Sequence, residues 1–232
     1  FEKDFYEMKH HFPVHVVGHP LIDAIHNRKS IDKSTFISEN KLEQKPIIAV
    51  LPGSRKQEIT KMLAVMLSVA DDFPDYQFII AGAPSQEYAF YEQFLKNKNV
   101  HFVANKTYDL LSHATAALVT SGTATLETAL FKVPEVVCYK GNWASYQIAK
   151  RVITLKYISL VNLIMDKEVV TELIQDKCNK KNIKIELQKL LEPNYRTQLL
   201  EQYDILETKL GGIGASEKTA QLIVQNLNSA IS

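Results

Sequence analysis

Apolar residues along this chain gather into short unbroken blocks, separated by stretches in which they recur every three or four positions. Ile47-Ile48-Ala49-Val50-Leu51 is the first block, and it offers no polar side chain to water. A strand of that kind is buried on both faces. Gln77-Phe78-Ile79-Ile80-Ala81-Gly82, Val100-His101-Phe102-Val103, Ala116-Ala117-Leu118-Val119-Thr120 and Glu135-Val136-Val137-Cys138-Tyr139 predict four more strands. Between the first two, Ile59, Met62, Leu63, Met66, Val69 and Ala70 fall on one face of a helix. Residues 85–98 predict a helix with an aromatic face, Tyr108 to His113 a short helix, and Thr123 to Lys132 another. Strand–helix alternation with buried strands implies a parallel sheet covered by helices on both sides, a Rossmann-like α/β architecture. Beyond Tyr157-Ile158-Ser159-Leu160 the pattern predicts helix to the end of the chain, broken at Gly211-Gly212-Ile213-Gly214. The organisation expected is an interdomain segment and connector over 1–45, a Rossmann-like domain over 46–192 and a helical C-terminal tail over 193–232.

Composition narrows the function classes. The 232 residues are 46% hydrophobic and 23% charged, as expected of a globular protein with a substantial core. A net charge of +1, from 27 basic and 26 acidic residues, argues against a general nucleic-acid binder. Cys138 and Cys178 have no ligand or disulfide-framework spacing and suit a reducing cytoplasm. The seven histidines form no HExxH pair, so no metal site is expected. His19, between Gly18 and Pro20, reads as structural, and His101 and His113 as packing or surface residues. No apolar run approaches the roughly 20 residues that cross a bilayer. No signal-peptide pattern precedes the first helix, and the absence of an initiator Met suggests that the chain starts inside a longer protein. Walker A, GxGxxG and GxSxG are all absent, which argues against an ATPase, a standard NAD enzyme and a standard serine hydrolase.

In a parallel sheet of this kind, ligands bind beyond the C-terminal strand ends. That rule selects the loops 52–55, 82–85, 103–107 and 120–123. In the first, Gly53 permits a sharp turn, Ser54 is a candidate helix cap or phosphate donor, and Arg55 carries a planar fork of donors suited to a diphosphate. A capped helix followed by a solvated Arg fits the bare tripeptide equally well. The second candidate is Thr120-Ser121-Gly122-Thr123-Ala124-Thr125-Leu126-Glu127, where small residues open a helix whose free amides favour an anion. Glu127, one turn further in, has a carboxylate able to accept from two ribose hydroxyls. The bland alternative is a Thr-capped helix with Glu127 on its surface. Asn162 is a polar residue in the apolar run Leu160 to Ile164, and it is either a satisfied structural amide or a ligand contact. Trp143, Tyr146, Ile148, Val152 and Ile153 form an aromatic–apolar face beside Lys150 and Arg151. It suits a membrane interface, although core packing is the commoner use of such a face.

Several of these segments occur in a characteristic order. Val17-Gly18-His19-Pro20-Leu21, Leu51-Pro52-Gly53-Ser54-Arg55, Ser121-Gly122-Thr123-Ala124-Thr125-Leu126-Glu127, Ala149-Lys150-Arg151 and Ser159-Leu160-Val161-Asn162-Leu163 precede a final Gly214-Ala215-Ser216-Glu217. Together they resemble the lipid-A-disaccharide synthase family of GT-B glycosyltransferases, over the whole chain. Val161 stands before Asn162 where many relatives carry Pro.

The resemblance implies a fold, a reaction and a site. The chain would be the C-terminal, donor-binding half of a GT-B fold. The family transfers a diacylglucosamine unit from its UDP donor to diacylglucosamine 1-phosphate. A β-1′,6 bond forms, the donor anomeric centre is inverted and UDP is released. The donor-binding set would be Gly53, Ser54, Arg55, Ser121, Gly122, Thr123, Ala124, Glu127 and Asn162. Arg55 would act catalytically, stabilising the leaving diphosphate with the amides of 122–124. Neither a metal nor a cofactor is expected, the UDP-sugar being a substrate. The partners implied are the UDP-linked acylated glucosamine, a lipid acceptor and a membrane surface at the cytoplasmic face, with a homo-oligomer compatible and nucleic acid not expected. The acceptor site and general base belong to the N-terminal half in this family, so the chain alone is expected not to synthesise disaccharide. A peptidoglycan UDP-GlcNAc transferase, a UDP-GlcNAc 2-epimerase and a nucleotide-binding module without turnover remain alternatives.

Overall fold

The computed structural model describes Lys3 and residues 5–95, 99–141 and 156–231. The face containing Trp143 and Arg151, and the Ala149-Lys150-Arg151 segment, lie outside the described residues. In chain order the helices and strands are α1 (Pro20–His26), α2 (Lys33–Glu39), β1 (Ile47–Leu51), α3 (Lys56–Leu67), β2 (Gln77–Gly82), α4 (Tyr88–Glu92), β3 (Val100–Ala104) and α5 (Thr107–His113). They continue with β4 (Ala114–Thr120), α6 (Thr123–Leu130), β5 (Glu135–Tyr139), α7 (Leu160–Met165), β6 (Thr171–Ile174), α8 (Lys180–Leu191), α9 (Pro193–Lys209) and α10 (Ala215–Ile231). Two compact units result, one of Ser30–Gln202 and one of Phe1–Lys29 with Tyr203–Ser232.

The larger unit holds a sheet of order β3-β2-β1-β4-β5-β6 in which every neighbouring pair is parallel. This is the doubly wound arrangement, and the strand order reverses between β1 and β4. Every residue of β1 and β2 is buried, which explains the apolar runs Ile47 to Leu51 and Phe78 to Gly82. One side of the sheet, with Ile47, Ala49, Leu51, Ile79, Val103 and Val119, packs with Phe36 of α2 and Leu110 and Leu111 of α5. On α3, Ile59, Met62, Leu63 and Met66 are buried, and on α8 Ile183, Leu187 and Leu190. These two helices contact each other, and both contact β5.

Two elements depart from the sequence expectation. The region after residue 160 is not all helix, because β6 extends the sheet with Val137 opposite Glu172. Its four residues, Thr171-Glu172-Leu173-Ile174, carry two polar side chains at the sheet edge, so they leave no continuous apolar signature. The helix expected over 85–98 shrinks to α4. After it, Phe94 N–H bonds Tyr91 C=O and Leu95 N–H bonds Glu92 C=O, a tightening to three-residue turns that ends the helix. The aromatic face persists: Tyr91 is fully buried, lies 4.8 Å from the Phe102 ring and accepts a 3.0 Å hydrogen bond from Ala83 N–H.

In the smaller unit, His19 caps α1 by accepting from Leu21 N–H at 3.2 Å, the structural role its setting predicts. Gly18 has φ 104°, and a Cβ there would lie 3.3 Å from both Ala215 Cβ and the Leu210 carbonyl. Asp23 accepts from Gly214 N–H at 2.7 Å and Ser216 N–H at 2.8 Å, which caps α10 after the glycine break. Those amides hold the Asp23 carboxyl below its ordinary range.

Candidate functional site

The loops after β1 and β4 diverge at the point where the strand order reverses, and a cavity of about 410 Å³ lies between them. All four loops selected from the sequence reach it: residues 52–55, Ala83 and Pro84, Thr107, and 120–124. Glu127 completes the wall from α6.

The first loop is shaped by one contact. Gly53 has φ 102°, and a Cβ there would stand 2.8 Å from Glu58 Oε2. Only glycine allows the turn and the close approach of Glu58 together. Ser54 does not cap α3, the role its residue type offers; Arg55 occupies the N-cap position. Ser54 instead offers its carbonyl to Ser85 Oγ at 2.8 Å, which ties the loops after β1 and β2 together. The Arg55 guanidinium donates from Nη1 to Glu58 Oε1 at 2.8 Å, while its side chain remains 81% exposed. Its other donors face solvent at the cavity rim, and an exposed pair of this kind is weakly held.

The second loop presents backbone. Ser121 is fixed twice: its N–H donates to the Cys138 carbonyl at 3.2 Å and its Oγ to the Ile158 carbonyl at 2.8 Å. Gly122 is the N-cap of α6, with no side-chain cap, and nothing lies within 4 Å of where its Cβ would be. Thr123 therefore does not cap the helix. The Thr125 hydroxyl turns inward to the Gly122 carbonyl at 2.8 Å. An uncapped helix start facing open space is a ready anion site. At the floor, Thr120 is only 6% exposed and its hydroxyl oxygen has no hydrogen-bond partner among the described residues.

Glu127 is half-buried, and its Oε1 accepts a 2.8 Å hydrogen bond from the Tyr108 hydroxyl. Sequence reasoning placed Tyr108 in a helix and gave it no role; nineteen residues separate the pair, and only the fold brings them together.

Asn162 stands apart. It is fully buried in α7 and does not line the cavity. Its Oδ1 accepts from Val169 N–H at 2.7 Å and Val170 N–H at 2.9 Å. Its Nδ2 donates to the Val170 carbonyl at 2.8 Å and to Glu172 Oε1 at 2.9 Å. Of the two roles left open by the sequence, this is the structural one: every amide position is used by the chain itself. Gly53, Ser54, Arg55, Ser121, Gly122, Thr123, Ala124 and Glu127 share one cavity, and Asn162 does not. Among the described residues, no cluster of His, Cys, Asp or Glu is arranged to hold a metal ion, and no helix is long and apolar enough to cross a membrane.

Residues 1–225 match the family described as lipid-A-disaccharide synthetase. A lipid-A-disaccharide synthase of Idiomarina loihiensis is 36% identical over 234 residues, covering 96% of this chain and 60% of that protein. One of Syntrophus aciditrophicus is 36% identical over 219 residues, covering 89% of this chain and 56% of its own length. The chain thus spans about 60% of the length of the curated relatives it matches. Among solved structures, a co-structure of S. aureus MnaA with UDP superposes with a TM-score of 0.62 at 16% identity, over 91% of this chain and 53% of that one. The glycosyltransferase SnogD of Streptomyces nogalater superposes with a TM-score of 0.51 at 17% identity, over 89% of this chain and 55% of that one. The shared architecture is that of one half of a GT-B fold.

Proposed function

Since this chain belongs to the lipid-A-disaccharide synthetase family, we propose that the cavity between the loops after β1 and β4 binds the UDP portion of an acylated glucosamine donor. The observation that supports this most directly is the meeting of three kinds of donor and acceptor on one cavity. Arg55 stands at its rim, the uncapped start of α6 opens into it, and Glu127 forms a wall. A diphosphate needs fixed donors, and the amides of 122–124 together with the Arg55 fork supply them. A ribose needs an acceptor for its hydroxyls, and the Glu127 carboxylate is one.

On this reading the chain's part in the reaction is to receive the leaving group. As the bond from the anomeric carbon to the diphosphate oxygen breaks, negative charge grows on that oxygen. Donors already aimed at it stabilise the transition state without rearranging. An acceptor hydroxyl of a glucosamine 1-phosphate lipid would attack the opposite face and lose its proton to a base outside this chain. Acylated substrates would bring the protein to the cytoplasmic face of a membrane.

Titration calorimetry of the folded chain with UDP is the test. The expected dissociation constant lies between about 1 mM and 1 μM, or roughly −4 to −8 kcal/mol. No heat of binding from a folded sample overturns the donor-site reading.

A further inference from the structure

We infer that Glu172, which lies outside the cavity, is a positioning residue for the donor loop, acting through Ile158 and Ser121. The inference rests on the donor-site reading above. Glu172 sits on the edge strand β6, and its carboxylate is turned to the segment that leads into α7. Oε1 accepts from Ser159 N–H at 2.9 Å and Ile158 N–H at 3.1 Å, and Oε2 accepts from Ile158 N–H at 3.0 Å. Asn162 Nδ2 also donates to Oε1 at 2.9 Å. Two consecutive backbone amides and one side-chain amide thus converge on a single carboxyl group, which holds this short segment.

The other side of Ile158 carries the connection to the site. Its carbonyl accepts from Ser121 Oγ at 2.8 Å, so one peptide segment is clamped through its N–H by Glu172 and through its C=O by Ser121. Ser121 precedes Gly122, where the exposed backbone of the α6 start begins. With Ile158 in place, Ser121 is fixed by two bonds. Without it, Ser121 keeps its bond to the Cys138 carbonyl and loses the one made by its side chain. Neither Ile158 nor Glu172 lines the cavity, and Ser121 is the cavity residue that bonds the Ile158 carbonyl. Asn162 belongs to the same network: it holds Val169 and Val170, immediately before β6 begins at Thr171.

The test is a double-mutant cycle on UDP affinity, with thermal midpoints recorded in parallel. Glu172→Gln keeps the shape of the side chain but turns a donor group toward amides that need an acceptor. It is expected to weaken UDP binding about tenfold. Ser121→Ala is expected to weaken it too, and the double variant should be no weaker than the weaker single variant, because both break the same path. Additive losses, or wild-type affinity in Glu172→Gln, would overturn the relay. A purely structural role for Glu172 would lower the midpoint without this coupling. Amide exchange in the wild-type chain needs no variant: saturating UDP is expected to slow exchange at Ile158 and Ser159, and unchanged exchange at both would also overturn the relay. If the wild type fails to bind UDP, the donor-site reading falls, and the relay with it. If the wild type binds and the variants behave independently, only the relay falls.

Discussion

The Tyr108 hydroxyl donates to Glu127 Oε1 at 2.8 Å, and this bond orients the only carboxylate that α6 brings to the cavity wall. Burial first, and then the neighbouring carboxylate, push the phenol well above its ordinary value of 10.0, so it remains a donor throughout the neutral range. The Tyr108 ring in turn lies 5.2 Å from the Phe131 ring, which limits its movement. On the donor-site reading, Glu127 Oε2 then accepts from the ligand. Tyr108→Phe is therefore expected to leave the fold intact and to reduce the preference for UDP over its 2′-deoxy form by roughly three- to tenfold. Calorimetric titration with both ligands measures this, and an unchanged ratio would show that the bond has no part in orienting Glu127.

Glu127→Gln is expected to abolish that preference outright. The loss of one charge-assisted hydrogen bond corresponds to about 1.5–3 kcal/mol on UDP and little on the deoxy ligand. Equal weakening of the two ligands would assign Glu127 a structural role.

Arg55→Ala separates the diphosphate from the nucleoside. The side chain is 81% exposed, so the fold should tolerate its loss. UDP affinity is expected to fall while uridine affinity holds, and the salt dependence of UDP binding should become shallower. Parallel losses for UDP and uridine would contradict a phosphate role.

Gly53→Ala tests the loop geometry. The added Cβ meets Glu58 Oε2 at 2.8 Å and imposes a side chain at φ 102°. A cost of about 1–3 kcal/mol in stability is expected from the backbone alone. Adding Glu58→Ala should recover the part due to the collision and leave the backbone part. A denaturant series on the two variants distinguishes the contributions.

Glu135, at the start of β5, is fully buried, and neither of its oxygens has a hydrogen-bond partner among the described residues. Burial pushes its carboxyl well above the ordinary value of 4.5. In the unfolded chain it ionises near that ordinary value. Between the two values the folded state binds the extra proton, so stability falls as pH rises, by about 1.4 kcal/mol per pH unit from this group. Glu135→Gln is expected to remove that slope and to be more stable than the wild type at neutral pH. Denaturant midpoints measured from pH 4 upward, in roughly unit steps, check it; identical slopes would mean that the acid is partnered in solution.

The strands of the sheet's middle could be read from the sequence because burial on both faces leaves them no polar positions, as in Ile47 to Leu51. β6 could not, because an edge strand containing Thr171 and Glu172 carries no such mark. The loops that line the cavity followed from the rule that ligands sit beyond the C-terminal strand ends. What each side chain does there did not follow. Ser54 and Thr123 are good capping residues by type, yet the turn at Gly53 gives the N-cap to Arg55, and Gly122 takes it at α6. Asn162 was ambiguous for a physical reason: a buried amide and a ligand-facing amide differ only in which atoms reach them, and those atoms come from Val169, Val170 and Glu172. Tyr108 and Glu127 are nineteen residues apart, and no local pattern links them.

On the donor-site reading, the Thr120 hydroxyl sets stability and recognition against each other at one atom. A buried hydroxyl without a partner is a cost borne by the empty fold, since water would have bonded it in the unfolded chain. Thr120→Val removes the oxygen and keeps the shape, so it should raise the melting temperature of the ligand-free protein. If a ligand oxygen normally reaches that position, the same change should weaken binding. A selection for heat resistance alone would then favour Val at position 120, and the loss would appear only when ligand is offered.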